Sequence, residues 1–150
     1  MILDATLHKL AELVQKADSL EVYYETFITQ NWLDNYNGKE PQEETFPCIN
    51  VDTETLRKIE ELVEKLLNII GKNEEVKIDK IALCKIGNQT DIVIQLKEDV
   101  HNEYGRWVGT DYWWTTLSRL LESAEEKLRN LEQTERELKE KLEKLRSVLS

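Results

Sequence analysis

The spacing of hydrophobic residues predicts two helices in the first half of the chain. Over residues 3–17, apolar side chains recur at intervals of four and three, which places them on one face of a helix. A second stripe of this kind runs over residues 56–70. Asp52 or Thr53 provides an N-terminal cap for this second helix, and Gly71 is typical of the residue at which a helix ends.

The middle of the chain predicts a β-hairpin. Residues 76–86 and 91–98 are rich in Ile, Val and Leu, and they flank Gly87 and Asn88, which are favoured at tight turns. Two strands alone are only marginally stable in water. We therefore expect the hairpin to pack against the helices or to gain a further strand.

Other segments leave more than one interpretation open. Residues 46–51 and 106–112 are both candidates for a third strand. Composition predicts a loop over residues 35–44, which hold Gly, Pro and several polar side chains. Residues 19–34 stay undecided between helix and strand, because a helical spacing of apolar residues coincides with the strand-forming run EVYYETFIT.

The last part of the chain carries the clearest pattern, a seven-residue repeat over residues 115–149. Five consecutive heptads have apolar residues at both the a and the d positions, with one polar exception at Glu135. A repeat kept this long is typical of a coiled coil. The a positions are Leu121, Leu128, Glu135, Leu142 and Leu149, and the d positions are Leu117, Ala124, Leu131, Leu138 and Leu145.

Length favours a helix that projects from its own domain. A helix over residues 115–149 is about 52 Å long, whereas a compact chain of this size has a diameter of about 38 Å. An overhanging apolar stripe needs cover, and a second copy is the simplest cover. The alternative is a helix packed against the two predicted helices of its own chain. We interpret residues 1–114 as an acidic α+β domain and residues 115–150 as a coiled-coil helix for self-association.

The charges beside the heptad stripe favour an antiparallel pair of helices. The e positions are acidic first and basic last, at Glu125, Glu132, Lys139 and Arg146. In an antiparallel pair, Glu125 faces Arg146 and Glu132 faces Lys139. A parallel pair brings Lys141 near Arg146, a contact between like charges. Exposed ion pairs are individually weak, so they select an orientation and do not drive the assembly.

The net charge of −10 is confined to the first 114 residues. Residues 115–150 carry eight acids and eight bases, whereas residues 18–54 carry nine acids against Lys39 alone. Phosphate backbones prefer cationic surfaces, so we expect no direct binding of nucleic acid. The acidic stretch is either a solvated surface or a face for a basic protein partner. Its candidate contact residues are Glu40, Glu43 and Glu44.

Cysteine use and hydropathy give the expected compartment. Cys48 and Cys84 have neither the spacing of metal ligands nor that of a redox pair, so we expect two reduced thiols. The sequence has no apolar run long enough to cross a membrane, and its N-terminus lacks the features of a secretory signal. The expected location is cytoplasmic, with no contact to membranes.

Signatures of catalysis are missing from the sequence. It has no phosphate-binding glycine loop, nucleophile elbow or paired-histidine zinc helix. His101 lies near Asp99, Glu103 and Asp111, but a charged loop after a strand accounts for these residues equally well. We predict no catalytic residues, no bound metal and no cofactor.

Aromatic residues are concentrated at Tyr104, Trp107 and residues 112–114. Trp113 and Trp114 are adjacent, so their side chains point in different directions and cannot line one pocket wall. We expect at least one of them in the core. Exposed Trp and Tyr are favoured at interfaces and also stack on bases. The candidate binding residues are Tyr104, Arg106 and Trp107, joined by Trp32 and Tyr36.

These patterns predict an α+β protein with N-terminal helices, a central β-hairpin or small antiparallel sheet, and a long C-terminal coiled-coil helix. The predicted function is a non-catalytic, self-associating protein-interaction module. A concrete version is an acidic inhibitor that blocks a basic surface of a nucleic-acid enzyme. The alternative is an oligomeric protein that binds or sequesters a nucleotide-like small molecule with the aromatic cluster of residues 104–114.

Overall fold

The computed structural model describes residues 2–72 and 75–149. Within these residues the chain forms four helices and five strands, which confirms the predicted α+β class. In chain order they are α1 (Ile2–Lys16), β1 (Val22–Thr29), α2 (Trp32–Tyr36), β2 (Gln42–Ile49), α3 (Thr53–Ile69), β3 (Val76–Ile86), β4 (Gln89–His101), β5 (Trp107–Thr116) and α4 (Leu117–Leu149). A short 3-10 turn at Ala17–Ser19 follows α1.

The five strands form one antiparallel sheet in the order β1-β2-β3-β4-β5. β3 and β4 form the predicted hairpin, with Gly87 at its turn in a left-handed conformation (φ 60°). Both candidate third strands are present, one as β2 and one as β5. The strands β2 and β3 are joined over only two residue pairs, Cys48 with Cys84 and Ile49 with Leu83.

The sheet curls until its two outer strands meet. Gln30 and Tyr112 exchange both backbone hydrogen bonds, at 2.9 and 2.8 Å. The buried side chain of Gln95 extends this contact, because its Oε1 accepts from the Ile28 N–H at 2.7 Å and its Nε2 donates to the Ile28 and Trp113 carbonyls at 3.0 and 2.9 Å. The side chain of Gln95 therefore bridges β1 and β5 with hydrogen bonds beside the direct backbone contact between them.

The inner face of the curled sheet holds a small core of its own. It contains Phe27, Cys48, Ala82, Cys84 and Val93, all buried. Phe46 and Trp114 close one side of this core with an edge-on ring contact, their centroids 5.4 Å apart. Alternation along the strands sends neighbouring residues to the opposite, outer face.

Cys48 and Cys84 form a disulfide inside this inner core. The expectation of two reduced thiols was wrong, because pairing of β2 with β3 places the two side chains directly opposite each other. The cysteines are 36 positions apart in sequence, so their spacing alone did not reveal the contact. One ground for a cytoplasmic location is thereby removed, and the location stays a prediction.

The main core lies on the outer face, under the helices. Leu83, Ile94 and Leu96 of the sheet pack in one buried cluster with Ile59 and Val63 of α3. Leu10 of α1 and Leu117, Leu120 and Ala124 of α4 belong to the same cluster. The side chains of Leu3 and Leu7, which begin the predicted stripe of the first helix, lie outside the described residues.

The predicted cap of α3 is confirmed at Asp52. Its carboxylate accepts from the Thr55 N–H at 3.0 Å and pairs with Lys9 of α1. These contacts hold the pKa of Asp52 well below its ordinary value, first through the bond from Lys9 and then through those from Thr55. One carboxylate thus starts α3 and ties it to α1.

Long-range pairing decides the segments that the sequence left open. The run within residues 19–34 is the strand β1, because its residues pair with β2 from Val22 opposite Ile49 to Thr29 opposite Gln42. The predicted loop over residues 35–44 is five residues too long, since α2 extends to Tyr36 and β2 already begins at Gln42. The last helix begins at Leu117, two residues later than predicted, because residues 115 and 116 still pair with β4.

Candidate interaction surfaces

The first two turns of α4 belong to the globular domain. Leu117, Leu120 and Ala124 are buried against α3 and the sheet, and Leu121 remains 39% exposed. Leu117 was predicted as an oligomerisation residue, and the structure places it in the core of its own chain. The heptad repeat therefore has two parts, one used inside the domain and one beyond it.

Beyond Ala124, α4 leaves the domain, and every residue from 125 to 149 is exposed. The predicted overhang is confirmed. The leucines of this part line one face of the helix, and the first five of them are between 47% and 58% exposed. We call this set the uncovered seam: Leu128, Leu131, Leu138, Leu142, Leu145 and Leu149.

The charged residues beside the uncovered seam are also exposed. Glu125 and Glu132 lie toward the domain, and Lys139 and Arg146 lie toward the tip. Glu135, the one polar residue within the a and d positions, makes an ion pair at 3.5 Å with Lys139 of its own helix. At the e positions, the acids thus lie toward the domain and the bases toward the tip, and both are accessible to another chain.

The aromatic candidates near β5 lie on two different faces of the strand. The Trp107 indole and the Thr110 hydroxyl both donate to Oδ1 of Asp99, at 3.3 and 2.8 Å, so these side chains share the inner face. Trp32 packs over Gly109 on the outer face, where a Cβ on Gly109 would lie 2.6 Å from the Trp32 Cβ. The structure brings Trp32 to β5, but not to the side of Trp107.

An anchor from Asp111 explains the position of α2. Its Oδ1 accepts from the Trp32 N–H at 2.7 Å, at the start of the helix. Asn31 caps the same helix by accepting from the Leu33 N–H at 2.8 Å. Tyr36 lies at the other end of α2 and is 81% exposed. Of the two residues predicted to join the aromatic cluster, Trp32 is therefore packed and Tyr36 is free in solvent.

Tyr104 and Arg106 lie in the turn between β4 and β5. Asn102 organises this turn, because its Oδ1 accepts from the backbone N–H groups of both residues, at 2.9 and 3.0 Å. Tyr104 projects into solvent and is 81% exposed. Arg106 and Trp107 are exposed as well, so all three candidate side chains face solvent.

Trp113 and Trp114 point to opposite faces of β5. Trp113 packs against the outer core and Trp114 against the inner core. The expectation that they cannot share a pocket wall, and that at least one belongs to the core, is confirmed. Together they fix the strand from which α4 begins.

The acidic candidates surround the free edge of β2. Glu43 and Glu44 lie on the part of β2 that pairs with β1 but not with β3, and Glu40 lies in the loop before it. All three side chains are exposed. Charged residues on an edge strand oppose pairing with further strands. Their arrangement fits both a solvated edge and a face that attracts cations.

A second acidic group lies beside His101 in a cavity of about 550 Å³. Its walls include Glu75, Glu98 and Asp111. Burial raises the pKa of Glu98, and a hydrogen bond and charge repulsion from Glu75 raise it further. Within the part of the chain that the structure describes, no cluster of His, Cys, Asp and Glu side chains has the arrangement of a metal site.

Comparisons with known proteins identify no relative. No family model matches the chain, and neither the curated proteins nor the solved structures include a match to it. Among the described residues, no helix combines the length and the apolar character that crossing a membrane requires. The surfaces of the molecule are therefore the basis for a functional proposal.

Proposed function

We propose that the protein is a non-catalytic, self-associating interaction module, in which α4 of one copy pairs with α4 of a second. The observation that supports this proposal is the uncovered seam. Its leucines repeat with heptad spacing over about 25 residues of helix, and every one of these residues is exposed. Copies joined in this way would carry their curled-sheet domains as separate binding units.

Physical chemistry favours a partner for this helix. An isolated helix is marginally stable in water unless an apolar face is packed. A contiguous apolar stripe of this length is also unusual on the surface of a monomer and marks an interaction site. A second copy offers the same heptad spacing, and the zero net charge of residues 115–150 means that two such helices do not repel each other.

A basic protein is the proposed partner of the globular domain. The nine acids of residues 18–54 against a single lysine support this choice, as do the exposed carboxylates of Glu40, Glu43 and Glu44. An inhibitor that covers a basic, nucleic-acid-binding surface is the specific form of the proposal. Changing these three glutamates to lysine should weaken such binding at low salt, and unaltered binding would count against it.

Sedimentation velocity over about 1 to 100 µM protein tests the self-association. We expect the 17.7 kDa chain to sediment as a dimer and the variant Leu131→Glu/Leu142→Glu as a monomer. Each substitution places a charge in the uncovered seam, where the dimer has no water to solvate it. Gln133→Glu is the matched control, because it adds a charge on the far side of the same helix and should leave the dimer intact.

The same experiment has a clear contrary result. A wild-type chain that sediments as a monomer at every concentration would remove the proposal. Circular dichroism gives a second measurement, since the distal part of α4 should lose helicity on dilution if its packing depends on another copy. Helicity that is independent of concentration in both wild type and the double variant would argue against the pairing of α4.

A further inference from the structure

The uncovered part of α4 has a fixed start at the domain, and its described length restricts how a second copy can pair with it. It starts directly after Ala124, which is buried against the domain, and it ends at Leu149. Measured from Ala124 to Leu149, the midpoint of this described stretch lies between residues 136 and 137. An antiparallel helix of equal length covers the whole stretch only if its own midpoint crosses at the same place. The tip of each helix then reaches the domain of the other copy without overlapping it.

This alignment gives four of the six leucines of the uncovered seam a leucine partner. Leu128 faces Leu145 of the second copy, and Leu131 faces Leu142 of the second copy. The symmetry of the pair repeats both contacts on the other side of the axis. Leu149 then lies level with Ala124 of the second copy, which its own domain already buries, so the pairing ends where the domain begins. The heptad pattern and the length of the exposed helix thus select the same alignment independently.

The charges select this alignment as well. Glu125 then faces Arg146 of the second copy, and Glu132 faces Lys139 of the second copy. A shift of one heptad toward the tips sets two copies of Lys139 against each other and leaves Leu128 uncovered. A shift in the other direction sets two copies of Glu132 against each other and drives each tip into the partner domain. Like charges in direct opposition disfavour both shifted forms.

We propose that two copies form an antiparallel coiled coil in this one register, with the two-fold axis between residues 136 and 137. The inference rests on the proposed self-association and adds its geometry. Glu135 faces Leu138 of the second copy beside the axis, so the pair has a polar layer at its centre. A polar residue at one core position costs stability and specifies register.

The register places the two globular domains at opposite ends of a rod. The two copies of Ala124 are separated by about 38 Å along the axis. The domains do not touch, and their acidic edges and exposed aromatics stay accessible in both copies. The assembly is therefore suited to hold two copies of a basic protein at once, which raises the avidity for any target that carries two such sites.

Spin labels at matched positions test the register. Residues 126 and 147 occupy the same heptad position, on the side of the helix away from the uncovered seam. The variants Glu126→Cys and Ser147→Cys can be labelled selectively, because Cys48 and Cys84 are joined in a disulfide. In the proposed register, pulsed electron resonance should give equal label-to-label distances for the two variants. The two labels of one dimer, at the same position in each copy, are then separated by about 32 Å along the axis. Gln133→Cys and Glu140→Cys form a second matched pair, displaced by only about 10 Å.

Each alternative gives a different set of distances. A one-heptad shift makes the distances at positions 126 and 147 unequal, with axial displacements of about 42 and 21 Å. A parallel pair gives the same short distance at all four positions. Either result would overturn the register while leaving self-association intact. If wild type sediments as a monomer and no position shows a dipolar coupling, the proposed function itself fails.

Discussion

The curled-sheet domain and the distal half of α4 differ in how their apolar side chains are covered. In the domain, the outer strands meet, Gln95 supplies a rung between them, and two apolar clusters are closed within one chain. In the distal helix, by contrast, every residue from 125 to 149 is exposed, and most leucines of the uncovered seam are about half exposed. The stability of the domain is therefore set by contacts within one chain, whereas that of the distal helix should depend on protein concentration.

The largest expected effect comes from the disulfide at the weakest junction of the sheet. β2 and β3 share only two residue pairs, and Cys48–Cys84 is one of them. Opening a link between residues 36 positions apart should lower the free energy of unfolding by about 4 kcal/mol. Urea unfolding of the variant Cys48→Ala/Cys84→Ala, followed by tryptophan fluorescence, measures this loss.

The same variant separates the two regions. Sedimentation should still show a dimer in the absence of urea, because the uncovered seam lies far from the cysteines. A reducing agent should destabilise wild type and leave the double variant unchanged. Equal unfolding midpoints for the variant and oxidised wild type would show that the junction does not depend on the disulfide.

A somewhat smaller effect is expected at Gln95, which joins β4 to both outer strands. Gln95→Leu keeps the volume but removes the side-chain hydrogen bonds to the N–H and C=O of Ile28 and to the Trp113 carbonyl. A buried polar group left unpaired costs about 1–3 kcal/mol. Because partial relaxation reduces the sum, we expect the free energy of unfolding to fall by about 3 kcal/mol. Urea unfolding of this variant measures it.

Gln95→Glu sharpens the result by changing only charge. The ionised side chain still accepts from Ile28 N–H, but its other oxygen faces two carbonyls. The protonated form can donate to them, so folding should raise the pKa of the introduced carboxyl. The stability of this variant relative to wild type is then greatest below the ordinary carboxyl pKa, roughly pH 4, and falls as the pH rises through the raised pKa. A pH-independent difference from wild type would mean that the side chain has left the junction.

The elements that the sequence predicted are those whose signal is local. The helices α1 and α3, the hairpin β3–β4 and the long α4 each carry their own period, cap or turn, and all are present. The strand β1 had a mixed local signal, and only its pairing with β2 resolves it. The short helix α2 depends on Asp111 and Gly109, which are far away in sequence.

The same distinction holds for the candidate sites. The leucines of α4 could be identified in advance, because a heptad is a local pattern, although its first two d positions, Leu117 and Ala124, proved to serve the domain. Gln95 could not be identified, since its partner Ile28 is 67 residues away. The position of Trp32 opposite to Trp107 across β5 also depends on which edges meet. In this molecule, the contacts that form when β1 meets β5 could not be predicted from the spacing of residues along the sequence.

The smallest expected effect is a gain in stability, which comes from replacing Glu98. Burial and the neighbouring Glu75 raise the pKa of Glu98. The folded chain thus binds this proton more tightly than the unfolded chain, and the resulting stabilisation is present below the ordinary pKa and lost as the pH rises through the raised value. Glu98→Gln is neutral at every pH. We expect its Tm to exceed that of wild type slightly at pH 7 to 8.

The pH dependence of the Tm difference between Glu98→Gln and wild type distinguishes local repulsion at Glu98 from an effect of the net charge. The gain in Tm from Glu98→Gln should shrink toward pH 4, where the carboxyl of wild type is also neutral. Glu140→Gln is the matched control on the distal helix, exposed and away from the uncovered seam. A similar gain in both variants would show that the net charge of −10 is responsible. A gain confined to Glu98 would place the unfavourable charge in the domain, where one chain has brought its own acids together.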